Sequence, residues 1–106
     1  MAIVFEHKGT NYTLEFTRDS IKQMERSGFD LDRAASQPVT SLLVLFKGAF
    51  IAHHPRTSQT VIDEIWDSLG DKDGIFEALI ALYQEPLAAM MDEPEDEGKK
   101  IVWRVK

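Results

Sequence analysis

Residues 38–54 read PVTSLLVLFKGAFIAHH, and from Leu42 to Ala52 the only charged residue is Lys47. Apolar side chains would cover nearly every side of a helix formed by this stretch, and such a helix has to be surrounded by protein. The stretch is too short to cross a membrane, which takes roughly 20 apolar residues. We therefore predict the central helix of a packed core, begun by Pro38 and ended by His54-Pro55.

Two short apolar runs near the start of the chain predict a β-hairpin. Ile3–Glu6 and Tyr12–Phe16 flank a polar loop that contains Gly9, and the second run alternates as a half-buried strand does. Two strands alone are marginal in water, so further cover is needed. The alternating stretch 101–105, IVWRV, predicts a third strand, which would close a small antiparallel sheet.

Capping residues and apolar spacing predict three more helices, and their order after the hairpin indicates one α+β domain, 1–106, with about four helices around the central one. The first is capped by Thr17 and ends near Ser27, with Gly28 left-handed and Phe29 folding back onto Met24. One further helical turn is predicted within Asp30–Ser36. The helix after the central one is capped by Thr57 or Ser58 and ends at Gly70. The last helix starts near Asp71 or Asp73 and ends or kinks at Pro86.

Charge is unevenly distributed along the chain. The net charge is −6, yet the segment from Asp63 to Glu97 holds twelve acids and one base, Lys72. This disfavours nucleic acid as a partner, although a merely solvated surface has the same composition. There is no cysteine, hence no disulfide or thiolate site. The first residues do not resemble a signal peptide, so we expect a protein of the cytoplasm without membrane association.

No arrangement of residues typical of catalysis is found in the sequence. His53 and His54 are adjacent, which points their side chains about 100° apart on a helix and does not suit the i, i+4 pairing of zinc-binding helices. Capping of the central helix is the better interpretation of this pair. Carboxylates such as Asp63 and Asp67 fall on the polar face of a helix, where they are solvated and are poor candidates for acid–base catalysis. We expect no enzyme activity, no metal and no cofactor.

Two features instead suggest binding to another protein. The segment from Tyr83 to Met91 offers an apolar surface with methionines, which adapt to differently shaped partners. The segment 92–100 is acidic and is expected to be a mobile loop. The alternatives are that the apolar residues complete the core and that the loop is a tether. The candidate partner-binding residues are Tyr83, Leu87, Met90, Met91, Asp92, Glu93, Glu95, Asp96 and Glu97.

Several segments, taken together, resemble a family of small tail assembly chaperones from tailed phages and prophages of Gram-positive bacteria. They are YTLEFTRDSIKQMERSGF, PVTSLLVLFKGAFIAHHP, LYQEPL and VWRV, which are spread over almost the whole chain. MERSGF and LLVLFKGAFIAHHP are the most specific of them.

The resemblance implies a non-enzymatic protein that binds the tape measure protein, keeps it soluble and helps to recruit the major tail protein. It also implies action in the cytoplasm of the bacterial host and absence from the mature virion, with no catalytic residues. The alternative is a structural head-tail or tail component that stays in the virion. A host-directed regulator that binds nucleic acid is disfavoured by the distribution of charge.

Overall fold

A computed structural model describes residues 2–92, 98 and 100–105. The predicted α+β class is confirmed, because this part of the chain forms one antiparallel pair of strands and four α-helices. Residues 93–97 and 99, most of the predicted acidic loop, lie outside the described residues. The elements are β1 (Ile3–His7), β2 (Thr10–Leu14), α1 (Arg18–Arg26), a 3-10 helix (Leu31–Ala35), α2 (Pro38–Gly48), α3 (Gln59–Ser68) and α4 (Lys72–Met90).

The hairpin is tighter than the sequence predicts. His7 pairs with Thr10, so that only Lys8 and Gly9 form the turn. Both have positive φ, 48° and 80°, which a two-residue turn of type I′ requires and which glycine adopts without a steric penalty. The pairing continues to Ile3 opposite Leu14.

The outer edge of the hairpin, on the β2 side, is closed by the segment that follows α2. The Thr13 N–H donates to His54 Nε2 over 3.0 Å, and the Glu15 N–H donates to the Ala49 carbonyl over 3.1 Å. The Tyr12 ring packs against the rings of His54 and Phe50, at centroid distances of 5.0 and 5.9 Å. These contacts occupy the position of a third strand. The histidine is thus bound to the strand, and the predicted helix-capping role is wrong.

The predicted third strand at 101–105 is also wrong. These residues form no strand, and the sheet in the described part of the chain has two strands. The edge of β2 is already hydrogen-bonded to residues 49 and 54, and helices cover the apolar face of the hairpin. The side chains of Ile101, Val102, Trp103 and Val105 remain exposed.

Both ends of α1 follow from local chemistry as predicted. The Thr17 hydroxyl accepts the Ser20 N–H, and the Ser20 hydroxyl accepts the Thr17 N–H, which makes a reciprocal cap. At the other end Gly28 has φ 97° and the Phe29 N–H donates to the Met24 carbonyl over 3.0 Å. This is the hydrogen bond of a Schellman ending, so the predicted stop is confirmed.

The core is centred on the second half of the central stretch. Leu45, Phe46, Ala49 and Phe50 are all buried, and the Phe46 ring makes edge-to-face contacts with Phe50 and Trp66, 5.2 and 5.0 Å between centroids. The prediction of a surrounded helix that ends at His54 is wrong in two respects. One face of α2 is exposed, at Val39, Leu43 and Val44. The helix ends at Gly48, because the chain turns from there to approach β2.

The last two helices begin at predicted caps. The Ser58 hydroxyl accepts the Val61 N–H, and the Asp71 carboxylate accepts the Gly74 N–H. Pro86 lies inside α4, which continues to Met90 and does not end near Glu85. The loss of one backbone hydrogen bond at proline is therefore tolerated here.

We expect Phe46→Ala to lower the free energy of unfolding by about 3–5 kcal/mol, since it leaves a cavity where α2 meets Trp66. Urea denaturation monitored by circular dichroism measures this change. Leu43→Ala, on the exposed side of the same helix, is the matched control and should cost less than about 1 kcal/mol. Similar unfolding midpoints for Phe46→Ala and the wild type would contradict the assignment of Phe46 to the centre of the core.

We expect His54→Phe to destabilise the protein by about 1–3 kcal/mol, because a ring is retained but the Thr13 N–H loses its acceptor. Chemical denaturation and hydrogen exchange of the Thr13 amide test this effect. His53→Phe removes only an exposed pair with Glu15 and should cost less than about 1 kcal/mol. An unchanged exchange rate at Thr13 in His54→Phe would show that this hydrogen bond does not hold the edge of β2.

Candidate interaction surface

Tyr83 belongs to the core and not to the predicted partner surface. Its side chain is 3% exposed, and its ring makes edge-to-face contacts with Phe16 and Phe29, 5.3 and 5.5 Å between centroids. Burial raises the pKa of the phenol, and the carboxylates of Glu25 and Asp30 raise it further. The prediction fails here because Tyr83 lies one helical turn after buried Leu79, on the same face of α4.

The end of α4 carries the exposed part of the predicted site. Leu87, Met90 and Met91 are 37%, 51% and 84% exposed, and Asp92 follows them at the surface. We refer to these four residues as the α4-end surface. Leu87 and Met90 lie in the last turn of α4, and Met91 is its C-cap. Their exposure argues against the alternative that they complete the core. Glu93, Glu95, Asp96 and Glu97 lie outside the described residues.

A groove beside Leu87 adds acidic residues that sequence reasoning missed. Its carboxylates come from the end of α1 and the start of the 3-10 helix, so they are more than fifty residues away from Leu87 along the chain. Asp30 also caps the 3-10 helix by accepting the Asp32 N–H over 3.0 Å, which gives it a local structural role. The groove is lined by Glu25, Phe29, Asp30, Leu31, Asp32, Tyr83 and Leu87.

The charges around this groove favour a cationic partner. Three carboxylates, those of Glu25, Asp30 and Asp32, line it, and Arg33 Nε lies 3.9 Å from Asp30 Oδ2. The other lining residues are Phe29, Leu31, Tyr83 and Leu87. A groove lined by apolar or aromatic side chains and by carboxylates suits a segment that carries both apolar and basic side chains.

A second exposed apolar region lies between α2 and α3. Val39, Leu42, Leu43 and Trp66 line a shallow groove that is bordered by Asp63 and Asp67. Lys72 stands over the Trp66 ring, with Nζ 5.7 Å from the ring centroid. The sequence predicted Asp63 and Asp67 at the surface but placed the apolar residues of α2 inside. Both exposed apolar regions thus have acidic borders.

The hairpin turn is tied to α3 by a separate charged cluster. Lys8 Nζ contacts the Glu64 carboxylate, and the buried His7 Nε2 lies 3.4 Å from Glu64 Oε1 without a hydrogen bond. The hydrogen bond with Lys8 is the main cause that holds the pKa of Glu64 below its ordinary value. Glu64 is partly exposed, and its contact with Lys8 attaches the hairpin turn to α3.

Neither a candidate metal site nor a helix that could span a membrane is found in the described ranges 2–92, 98 and 100–105. No group of three histidine, aspartate or glutamate side chains there is placed to hold a metal ion. Within the same ranges, no helix is both long and apolar enough to cross a bilayer. Of the adjacent histidines, His53 Nε2 lies 2.7 Å from Glu15 Oε2, and His54 accepts the Thr13 N–H.

These features define a small, helix-rich α+β domain with exposed apolar regions bordered by acids. The chain belongs to the DUF5055 family, whose model is described as a domain of unknown function and matches residues 1–106. No curated protein and no solved structure matches the chain.

We expect Lys8→Met to raise the pKa of Glu64 towards its ordinary value, because the charged hydrogen bond is the largest cause of the lowered pKa. Glu64 has a lower pKa in the folded state than in the unfolded state, so its contact with Lys8 stabilises the fold above the unfolded pKa and is lost as the pH falls through the folded pKa. Carbon-detected NMR titration of the carboxyl group measures the shift. Lys22→Met, on exposed α1, is the control. An identical Glu64 titration in Lys8→Met and wild type would contradict the contact.

Proposed function

We propose that this protein is a non-enzymatic tail assembly chaperone that binds the tape measure protein and tail tube subunits of a tailed phage or prophage. The proposal combines the resemblance of MERSGF and LLVLFKGAFIAHHP to that family with one structural observation. The observation that carries it is the exposure of Leu87, Met90 and Met91 at the end of α4, beside an acidic groove.

The chemistry of the α4-end surface suits a partner that is only partly folded. Methionine side chains are unbranched and polarizable, so they pack against apolar groups of different shape. Contacts of this kind hold an aggregation-prone chain without demanding one fixed conformation, while the charged remainder keeps the complex in solution. The rest of the domain is anchored by its own core and need not change on binding.

The acidic border gives the proposed surface a preference among partners. Glu25, Asp30 and Asp32 would attract basic side chains that flank an apolar segment and would repel acidic ones. Long-range attraction raises the association rate more than the final affinity, and salt screens it over about 10 Å at 0.1 M ionic strength. The complex should therefore form more slowly at high salt, whereas the apolar contact should persist.

Under this proposal the protein acts in the cytoplasm of the bacterial host and leaves before the virion is complete. It needs no metal or cofactor, and nucleic acid is not its ligand. Co-expression with the tape measure and major tail proteins encoded beside it tests the proposal directly. A tape measure protein that becomes soluble only with this chain, and elutes with it, supports a chaperone. A chain that forms no such complex and is found in purified particles would identify a structural component.

We expect the double substitution Met90→Glu and Met91→Glu to reduce capture of the tape measure protein at least tenfold, because two charges replace the adaptable apolar contact. Co-purification yield with a fixed amount of partner is the measurement. Gln23→Glu with Thr60→Glu adds the same charge at exposed polar positions and should leave capture unchanged. Melting curves must stay close to that of the wild type in both variants. Undiminished capture by the methionine double variant would exclude the α4-end surface as the binding site.

A further inference from the structure

The two edges of the hairpin differ in their hydrogen bonding. The β2 edge is closed, because the Thr13 and Glu15 N–H groups donate to the segment after α2. Val4 lies opposite Thr13 in the antiparallel register. The Thr13 N–H points away from β1, so Val4 and Thr13 form the type of antiparallel pair that exchanges no hydrogen bonds. The N–H and C=O groups of Val4 therefore point away from β2. In the described part of the chain, no backbone hydrogen bond reaches that edge of β1.

The outward face of β1 carries exposed side chains. Val4 is 71% exposed, and Glu6 shares this face with it. The opposite face carries Ile3 and Phe5, which are half-buried against the core. An open edge of this kind is a template for pairing with another strand.

The segment 101–105 has the pattern of a strand and no place in the core. Its apolar residues are between 78% and 93% exposed. Ile101, Trp103 and Val105 fall on one face of an extended chain, and Val102 and Arg104 fall on the other.

We propose that the segment 101–105 of one copy adds as a strand to the open edge of β1 in a second copy of this chain. Ile101 and Trp103 then extend the apolar face that Ile3 and Phe5 begin, and Arg104 lies on the face that carries Glu6. An opposite-charge pair across neighbouring strands is favourable, and a third strand stabilises a hairpin that is marginal with two. The added strand also satisfies the outward backbone groups of Val4.

A second copy is the occupant because one chain carries both complementary parts. Among the described residues of one chain, the segment 101–105 is exposed and no strand pairs with the outer edge of β1. Two copies related by a two-fold axis satisfy both edges with the same contact made twice, which is the commonest form of protein dimer. This inference does not depend on the proposed function, since it involves neither the α4-end surface nor a partner protein.

The absence of cysteine from the chain allows a direct test by disulfide formation. A tagged Val4→Cys chain is mixed with untagged full chains that carry one cysteine, at 101, 102, 103, 104 or 105, and the mixture is oxidised. Side chains directly opposite each other on adjacent strands are close enough for a disulfide, whereas diagonal neighbours and side chains on opposite faces are not. We expect tagged-to-untagged disulfides with cysteine at 102 or 104, whichever lies opposite Val4, at a yield at least tenfold above those at 101, 103 and 105.

The other outcomes overturn the proposal. Double variants with cysteine at position 4 and at 102 or 104 should form disulfides between chains, and a disulfide closed within one monomer would place the segment on its own β1. Equal yields at all five positions would indicate random collision. No disulfide at any position would show that the edge and the segment do not meet.

The oligomeric state of the wild-type chain gives an independent test of the proposal. Sedimentation equilibrium should find a dimer, twice the chain mass of 12.1 kDa. Val4→Pro removes the outward N–H without removing a hydrogen bond of the hairpin, and we expect it to raise the dissociation constant of the dimer at least tenfold. Val4→Thr keeps the N–H and the β-branched shape and is the matched control. A wild-type chain that is monomeric at all concentrations, or a Val4→Pro dimer as tight as the wild type, overturns the proposal.

Discussion

The fold depends on the attachment of the segment after α2 to the edge of β2. The hydrogen bonds from Thr13 to His54 and from Glu15 to Ala49 fix this segment against the hairpin. They place Phe50 beside Tyr12, and Phe50 in turn contacts Phe46 in the centre of the core. A hairpin of two strands is hardly stable alone, so the helices and the hairpin stabilise each other through this contact.

The same attachment decides which surfaces remain exposed. Because the turn after Gly48 leads the chain back to β2, the helix α2 is short, and its side with Val39 and Leu43 stays at the surface. The edge of β2 is closed, while no described residue pairs with the outer edge of β1. Among the described residues, exposed large apolar side chains lie at the end of α4, along α2, on β1 and in the segment 101–105.

Acidic side chains border two of these apolar regions, and the acids of the two regions belong to different elements of the fold. Asp63 and Asp67 belong to α3, whereas Glu25, Asp30 and Asp32 are brought to Leu87 by the α1 ending and the 3-10 helix. This combination of apolar contact and negative charge discriminates among partners by their charge and tolerates differences in their shape. It is the physical basis of the chaperone proposal, together with the resemblance of the sequence.

The sequence by itself determined the features that depend on neighbouring residues. The cap at Thr17, the left-handed Gly28, the turn at Gly9, the caps at Ser58 and Asp71 and the burial of Phe46 and Phe50 were predicted, because each follows from local backbone geometry or from a strongly apolar run. Only the tertiary structure decided where α2 ends, that Tyr83 is buried, that α4 passes through Pro86, and that residues 101–105 stay outside the sheet. Each of these depends on contacts between residues far apart in the chain. The edge of β2 is closed by His54 and Ala49, which lie far from it along the chain, and no local pattern contains that information.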